Sequence, residues 1–150
     1  VPLKVLKQLT ENNFTTLGTD QFIMDTRLMM VRVKEAMNGV NPVVAEDMNI
    51  TEAIIKMTEY NFGAVTVLKK DGSIKGVFTD GSLRKLIMEK GRDILNKKLA
   101  DLEYREPITI EGSVLLNEAN VLFKKTHVDT IVVTENGKPV GMLDIQDISK

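Results

Sequence analysis

The chain has no cysteine among its 150 residues, one histidine and only four prolines. Without cysteine there is no disulfide, no thiolate nucleophile and no cysteine-ligated metal. A reducing, cytoplasmic setting fits that composition. The lone histidine, His127, leaves no pair of imidazoles at metal-binding spacing. It precedes the β-rich run Thr130–Val133 and is expected at a helix end. No apolar run approaches the roughly 20 residues that a membrane-spanning helix needs. Val1-Pro2-Leu3-Lys4 does not lead into the apolar core of a signal peptide. Like charges form no long block. The richest basic stretch, Lys97-Lys98, is followed at once by Asp101 and Glu103, so neither nucleic acid nor membrane is expected as a partner. Asp20, Asp25 and Glu35 read as solvated. There is no glycine-rich phosphate loop, no nucleophile elbow, and no set of nucleophile, base and oxyanion donors, so the chain is not expected to be an enzyme. It begins on Val1, as would a piece of a longer protein or a chain whose Met has been removed ahead of Val.

What is present is a repeat. The apolar and charged fractions, 43% and 27%, are ordinary for a globular chain, and the net charge is −1. Asn41-Pro42-Val43-Val44 matches Glu106-Pro107-Ile108-Thr109, and Thr51-Glu52-Ala53 matches Asn117-Glu118-Ala119. Ala64–Val67 matches Thr130–Val133, Asp71-Gly72 matches Asn136-Gly137, and Gly76–Thr79 matches Gly141–Asp144. The offset stays at 65 or 66 residues throughout.

Each unit reads as strand, helix, strand, strand, helix. Pro42 and Pro107 open an extended segment, because proline fixes φ and pushes its predecessor toward β. Ile50, Ala53, Ile54 and Met57 then fall at helical spacing, as do Leu115, Leu116, Ala119 and Leu122-Phe123. Two β-rich runs follow in each unit, joined by Asp-Gly or Asn-Gly, a hairpin signal in which both turn positions favour positive φ. A last helix is predicted over Gly81–Lys90 in the first unit and from Ile145 to the end in the second. Gly91-Arg92-Asp93 reads as a helix end. One unit of about 55 residues buries little surface alone. The fold class is therefore expected to be α+β, with two pseudo-symmetric units packed sheet to sheet. The divisions are residues 1–32, 33–91 and 92–150. Residues 1–32 do not repeat; Val5, Leu6 and Leu9 mark one apolar face, and Phe22-Ile23, Leu28 and Met29-Met30 another, for helix, core or an adaptable contact.

From Val33 to Lys150 the sequence resembles a tandem pair of CBS domains, a Bateman module. The resemblance is carried by Gly76-Val77-Phe78-Thr79-Asp80-Gly81-Ser82-Leu83-Arg84 and Gly141-Met142-Leu143-Asp144-Ile145-Gln146-Asp147-Ile148. The first phrase is similar to Gly-Ile-Phe-Thr-Asp-Gly-Asp-Leu-Arg-Arg of the CBS pair on sugar-phosphate isomerases of the arabinose-5-phosphate isomerase type (the KpsF/GutQ group). Leu28 to Met37 is similar to the stretch that joins their isomerase domain to the pair. Related pairs occur on sugar nucleotidyltransferases. The resemblance implies a regulatory module that takes an adenosine nucleotide or a CMP-sugar, requires no cofactor, pairs with a second copy as a homodimer and serves an attached sugar-isomerase domain.

The family pattern places a Ser or Thr at the strand end and an Asp three residues on. The hydroxyl can bond a phosphate or ribose oxygen, the Asp can accept from ribose hydroxyls, and the helix N-terminus favours phosphate. Here the pattern is split. Unit one has Thr79 but Ser82 in place of the Asp; unit two has Asp147 but Asp144 in place of the hydroxyl. A phosphate about 4 Å from Asp144 would be repelled by about 4 kcal/mol at an effective dielectric of about 20. The residues implied for ligand binding are Thr79, Asp80, Ser82, Arg84, Thr130, Asp144 and Asp147, with Lys85 near the first site. Thr79, Ser82, Asp144 and Asp147 are also good helix-capping residues, and capping alone would account for them. A dimerising element with vestigial clefts is the competing reading.

Overall fold

The structure, a computed structural model, describes residues 16–149. Val5, Leu6 and Leu9 lie outside the described residues. The order is α1 (Thr16–Met30), a short α2 (Val33–Ala36), β1 (Val43–Ala45), α3 (Ile50–Tyr60), β2 (Ala64–Leu68), β3 (Ile74–Thr79) and α4 (Asp80–Lys90). Two 3-10 turns (Arg92–Asn96 and Leu99–Asp101) lead to β4 (Thr109–Glu111), α5 (Leu116–Thr126), β5 (Thr130–Glu135), β6 (Lys138–Asp144) and a closing 3-10 turn, Ile145–Ile148. There are two three-stranded sheets, β1-β2-β3 and β4-β5-β6, each with one parallel and one antiparallel pairing. The α+β class and the two-sheet arrangement are as the sequence predicts.

The strands alternate between two apolar surroundings, as a period of two requires. Val65, Val67 and Phe78 face a first core with Ile50, Ala53 and Met57 of α3. Ile131, Val133 and Leu143 face a second with Leu116, Ala119 and Phe123 of α5. The opposite faces meet each other: Ala64, Ile74 and Val77 of the first sheet pack on Val132 and Met142 of the second. Covering both faces explains why the central strands read as nearly continuous apolar runs.

A short segment from each half is exchanged. Val31 to Lys34 pairs with the second unit: Leu116 N donates to Val31 O at 2.7 Å, Val33 N to Val114 O at 2.9 Å and Lys34 N to Gly112 O at 2.9 Å. Val33 and Ala36 lie in the second core, with Leu28 and Met24 of α1. Lys97 to Ala100 repays this on the first unit, with Ile50 N to Lys97 O at 3.0 Å, Leu99 N to Met48 O at 2.8 Å and Ala100 N to Glu46 O at 2.8 Å. Ile94 and Leu99 complete the first core. Every one of these bonds maps onto its counterpart at an offset of 66. Glycine is required where the exchanged segments cross the last strands. A Cβ on Gly76 would lie 2.6 Å from Tyr104, and one on Gly141 would lie 2.8 Å from the Met37 sulfur.

Three expectations change. Asn136 and Gly137 both have positive φ, 53° and 80°, as a two-residue turn demands, but in unit one only Gly72 does, at 86°. There Lys69 N bonds Ser73 O at 2.8 Å, and the Asp71 carboxylate accepts from Ser73 N and Oγ. The loop is one residue longer, with the glycine alone in the left-handed position. Asp71 is thereby held below the ordinary carboxylate range, chiefly by the Ser73 hydroxyl. The helix predicted from Ile145 is a single 3-10 turn, Ile145–Ile148, with an N-terminal capping box at its head. Finally, Met29 and Met30 stand exposed on α1, at 66% and 62%, not in a core.

Candidate ligand cleft

The strand-to-helix turns of both units open onto one cleft of about 1080 Å³. In the first half, Thr79 Oγ1 caps α4 by accepting from Ser82 N at 3.1 Å, and the Thr79 and Ser82 hydroxyls lie 3.0 Å apart. Asp80 begins the helix, its N–H bonded to Gly63 O at 3.0 Å. Gly63 leaves room for it: a Cβ there would sit 3.0 Å from Asp80 Oδ2. In the second half, Asp144 Oδ2 accepts from Gln146 N at 2.9 Å, and Asp147 Oδ2 accepts from Asp144 N at 2.8 Å, closing a capping box. Asp147 lines the cleft but is only 1% exposed, so its carboxylate offers a ligand little surface while the cap is closed. Thr79, Asp144 and Asp147 do cap their turns, while Ser82 is the residue whose N–H is capped.

Six of the seven residues implied by the sequence line the cleft: Thr79, Asp80, Ser82, Thr130, Asp144 and Asp147. Arg84 does not. It lies exposed on α4, one position from Lys85, which is the residue that points its helix face into the cleft. The structure adds residues that the motif did not reveal. Asn61 and His127 end α3 and α5 in the left-handed conformation, with φ of 50° and 59°, and both line the cleft. They occupy equivalent positions, as do Gly63 and Asp129, so the repeat offset could have found them. Tyr104 and Arg105 come from the exchanged linker, which has no motif to mark it.

The charge is unevenly spread. Lys85, Lys90, Lys97 and Arg105, the cations lining the cleft, all come from α4 and the linker. Beyond Arg105 the lining residues include Glu106, Asp129, Asp144 and Asp147 but no lysine or arginine. Asp80, Glu89, Asp101 and Glu103 line the cleft beside those cations, so that stretch is balanced, whereas the stretch beyond Arg105 is acidic and less favourable to an anion. Among the described residues no group of three or more His, Asp or Glu side chains could hold a metal ion. A smaller depression of about 560 Å³, lined by Glu46, Asp47, Lys69, Lys70, Asp71 and Lys98, carries none of the motif residues.

The CBS domain family matches residues 6–89 and 99–150. The chain belongs to the CBS-domain family. This CBS pair is 27% identical over 124 residues to the arabinose 5-phosphate isomerase KdsD of Yersinia pestis, covering 81% of the chain and 38% of the relative. It is 31% identical over 122 residues to the isomerase KpsF of Escherichia coli, covering 81% and 37%. The pair thus spans well under half the length of the curated relatives it matches, and what it matches is their CBS portion, which is regulatory and not catalytic. Among solved structures, it is similar to the CBS domain protein PAE2072 from Pyrobaculum aerophilum complexed with AMP, with a TM-score of 0.70 at 18% identity over 78% of this chain and 89% of that one. It is also similar to the CBS domain pair of MJ0100 in complex with 5-methylthioadenosine and S-adenosyl-L-methionine, with a TM-score of 0.70 at 18% identity over 79% and 93%. Among the described residues no helix is long and apolar enough to cross a membrane.

Proposed function

We propose that this CBS pair senses a nucleotide in the cleft between its units and regulates an attached sugar-phosphate isomerase domain in the cytoplasm. The observation that carries the reading is the convergence of both strand-to-helix turns on one cleft whose cations come from α4 and the linker. A nucleotide would place its phosphate against Lys85 and the N-terminus of α4, beside Thr79 and Ser82. Its nucleoside would lie toward Thr130 and Asp147. Support comes from the AMP and S-adenosyl-L-methionine complexes of proteins with this fold and from the isomerase relatives. Thermal shift with AMP, ATP, S-adenosyl-L-methionine and a CMP-sugar tests it. A rise with at least one of them is expected, and no response to any of the four refutes ligand sensing.

A second reading rests on a specific observation: Thr79, Asp144 and Asp147 are all engaged in caps. On that reading the clefts are vestigial and the pair serves as a homodimerising element. Light scattering separates the two, because such an element forms a dimer whose mass nucleotide leaves unchanged.

A further inference from the structure

Helix α1 is anchored to the turn that forms the acidic half of the cleft. Arg27, near its C-terminal end, donates from Nη2 to Asp147 O at 2.9 Å and from Nε to Ile148 O at 3.2 Å. Leu28, the next residue, is buried in the second core with Ile148. Asp147 therefore faces two ways. Its carboxylate, bonded to Asp144 N, belongs to the cleft, and its carbonyl belongs to α1. A guanidinium on two successive carbonyls senses the backbone direction of the turn, which a single contact would not.

We infer that Arg27 couples α1 to occupancy of the second half of the cleft. The inference rests on the nucleotide reading above. A ribose hydroxyl that donates to the Asp147 carboxylate competes with Asp144 N for that carboxylate in a residue only 1% exposed, and so pulls on the cap. Opening the cap unwinds a turn of four residues, turns the carbonyls of Asp147 and Ile148 and releases Arg27. The C-terminal end of α1 then loosens, along with the exchanged segment that follows it. The coupling is reciprocal: displacing α1 alters the affinity of the cleft by the same factor. Arg27 is a positioning residue here and touches no ligand.

Hydrogen exchange on the full chain tests this. Asp147→Ala opens the cap without any ligand, and amide exchange over residues 24–31 should rise about tenfold while α4 stays unchanged. If the turn opens and α1 keeps its protection, the inference is wrong. Should that variant not fold, Arg27→Lys gives the reverse arm: exchange over residues 145–148 should rise, and an unchanged turn overturns the coupling. AMP supplies the third arm. It should raise exchange in α1 of the wild type but not of Arg27→Gln. If AMP shifts the melting temperature and leaves α1 untouched, the coupling fails. If AMP shifts nothing, the nucleotide reading fails for AMP, and the two variants still decide the coupling.

Discussion

Thr79 and Asp144 stand at the same point of the two units, at the end of the last strand. Each accepts a backbone N–H from the turn that follows. The fold needs an oxygen at that place and is indifferent to whether a hydroxyl or a carboxylate supplies it. A ligand is not indifferent. The hydroxyl leaves a phosphate-tolerant turn at the head of an eleven-residue helix, while the carboxylate, with Asp147 behind it, makes an acidic turn that ends after four residues. Other paired positions show the same pattern. Gly63 answers to Asp129, Asn61 to His127 and Thr66 to Val132, and in each pair the backbone bonding or conformation is preserved while the chemistry diverges; Tyr104 and Met37 share the role of meeting the glycine of the last strand. The repeat therefore specifies a scaffold, and the differences between its copies decide what the scaffold holds.

The comparison can be broken most sharply at the two glycines. In Gly76→Ala the new methyl meets the Cβ and ring of Tyr104, which cannot swing away. In Gly141→Ala it meets a flexible thioether. Overpacking should cost about 3 kcal/mol at Gly76 and about 1 kcal/mol at Gly141, read from urea unfolding midpoints. Equal costs would show that the two crossings are equally rigid.

Exchanging the caps comes next. Thr79→Asp should keep the turn and set a carboxylate beside the phosphate, weakening AMP binding about thirtyfold, or about 2 kcal/mol, in calorimetry. Asp144→Thr, at the nucleoside end, should tighten it about threefold. Between the sheets, the Thr66 hydroxyl is wholly buried and has no hydrogen-bond partner. Thr66→Val, copying Val132, should stabilise the protein by about 1 kcal/mol, and Val132→Thr should destabilise it by about as much.

The smallest expected effect is a pH dependence confined to the first unit. Tyr104 donates its hydroxyl to Leu99 O at 2.8 Å. Burial, and secondarily the nearby Glu46 carboxylate, push the phenol above its ordinary range. A raised folded-state value means that the unfolded chain loses its proton first. The contribution of Tyr104 is therefore complete below the unfolded value, about pH 10, and is lost as pH rises beyond it. Tyr104→Phe should flatten the alkaline fall in stability between about pH 9.5 and 11, followed by urea midpoints. Met37, which meets the other last-strand glycine, does not titrate.

The parts of this fold that were legible in the sequence are local. Asn136-Gly137 reads as a tight turn because both residues tolerate positive φ, and both adopt it. Ile50, Ala53 and Met57 read as a buried helix face because their spacing is that of one. Asp71-Gly72 misled because Ser73 lengthens the loop, an effect of the third residue that a dipeptide signal does not contain. Arg84 misled because adjacent residues on a helix point about 100° apart, and Lys85 holds the cleft-facing position. The exchanged segments left no trace, since Val33 and Ala36 read as the start of the first unit and pack in the second. Contacts between remote segments have no period to detect. The cleft itself was legible only through its two motif turns. The Tyr104-Arg105 wall depends on where the linker crosses, and no local pattern encodes that.

The exchange has a consequence for the order of synthesis. Val31 finds its partner in Leu116, 85 residues further along the chain. When the first unit has emerged from the ribosome, its own closing piece, Lys97 to Ala100, is still to follow, and the segment at Val31 has no seat at all. That early segment must wait, unpaired and partly apolar, until the second unit is made. Neither half can be finished before the other has begun, so the pair, and not the single repeat, is the smallest piece of this chain that can be completed during translation.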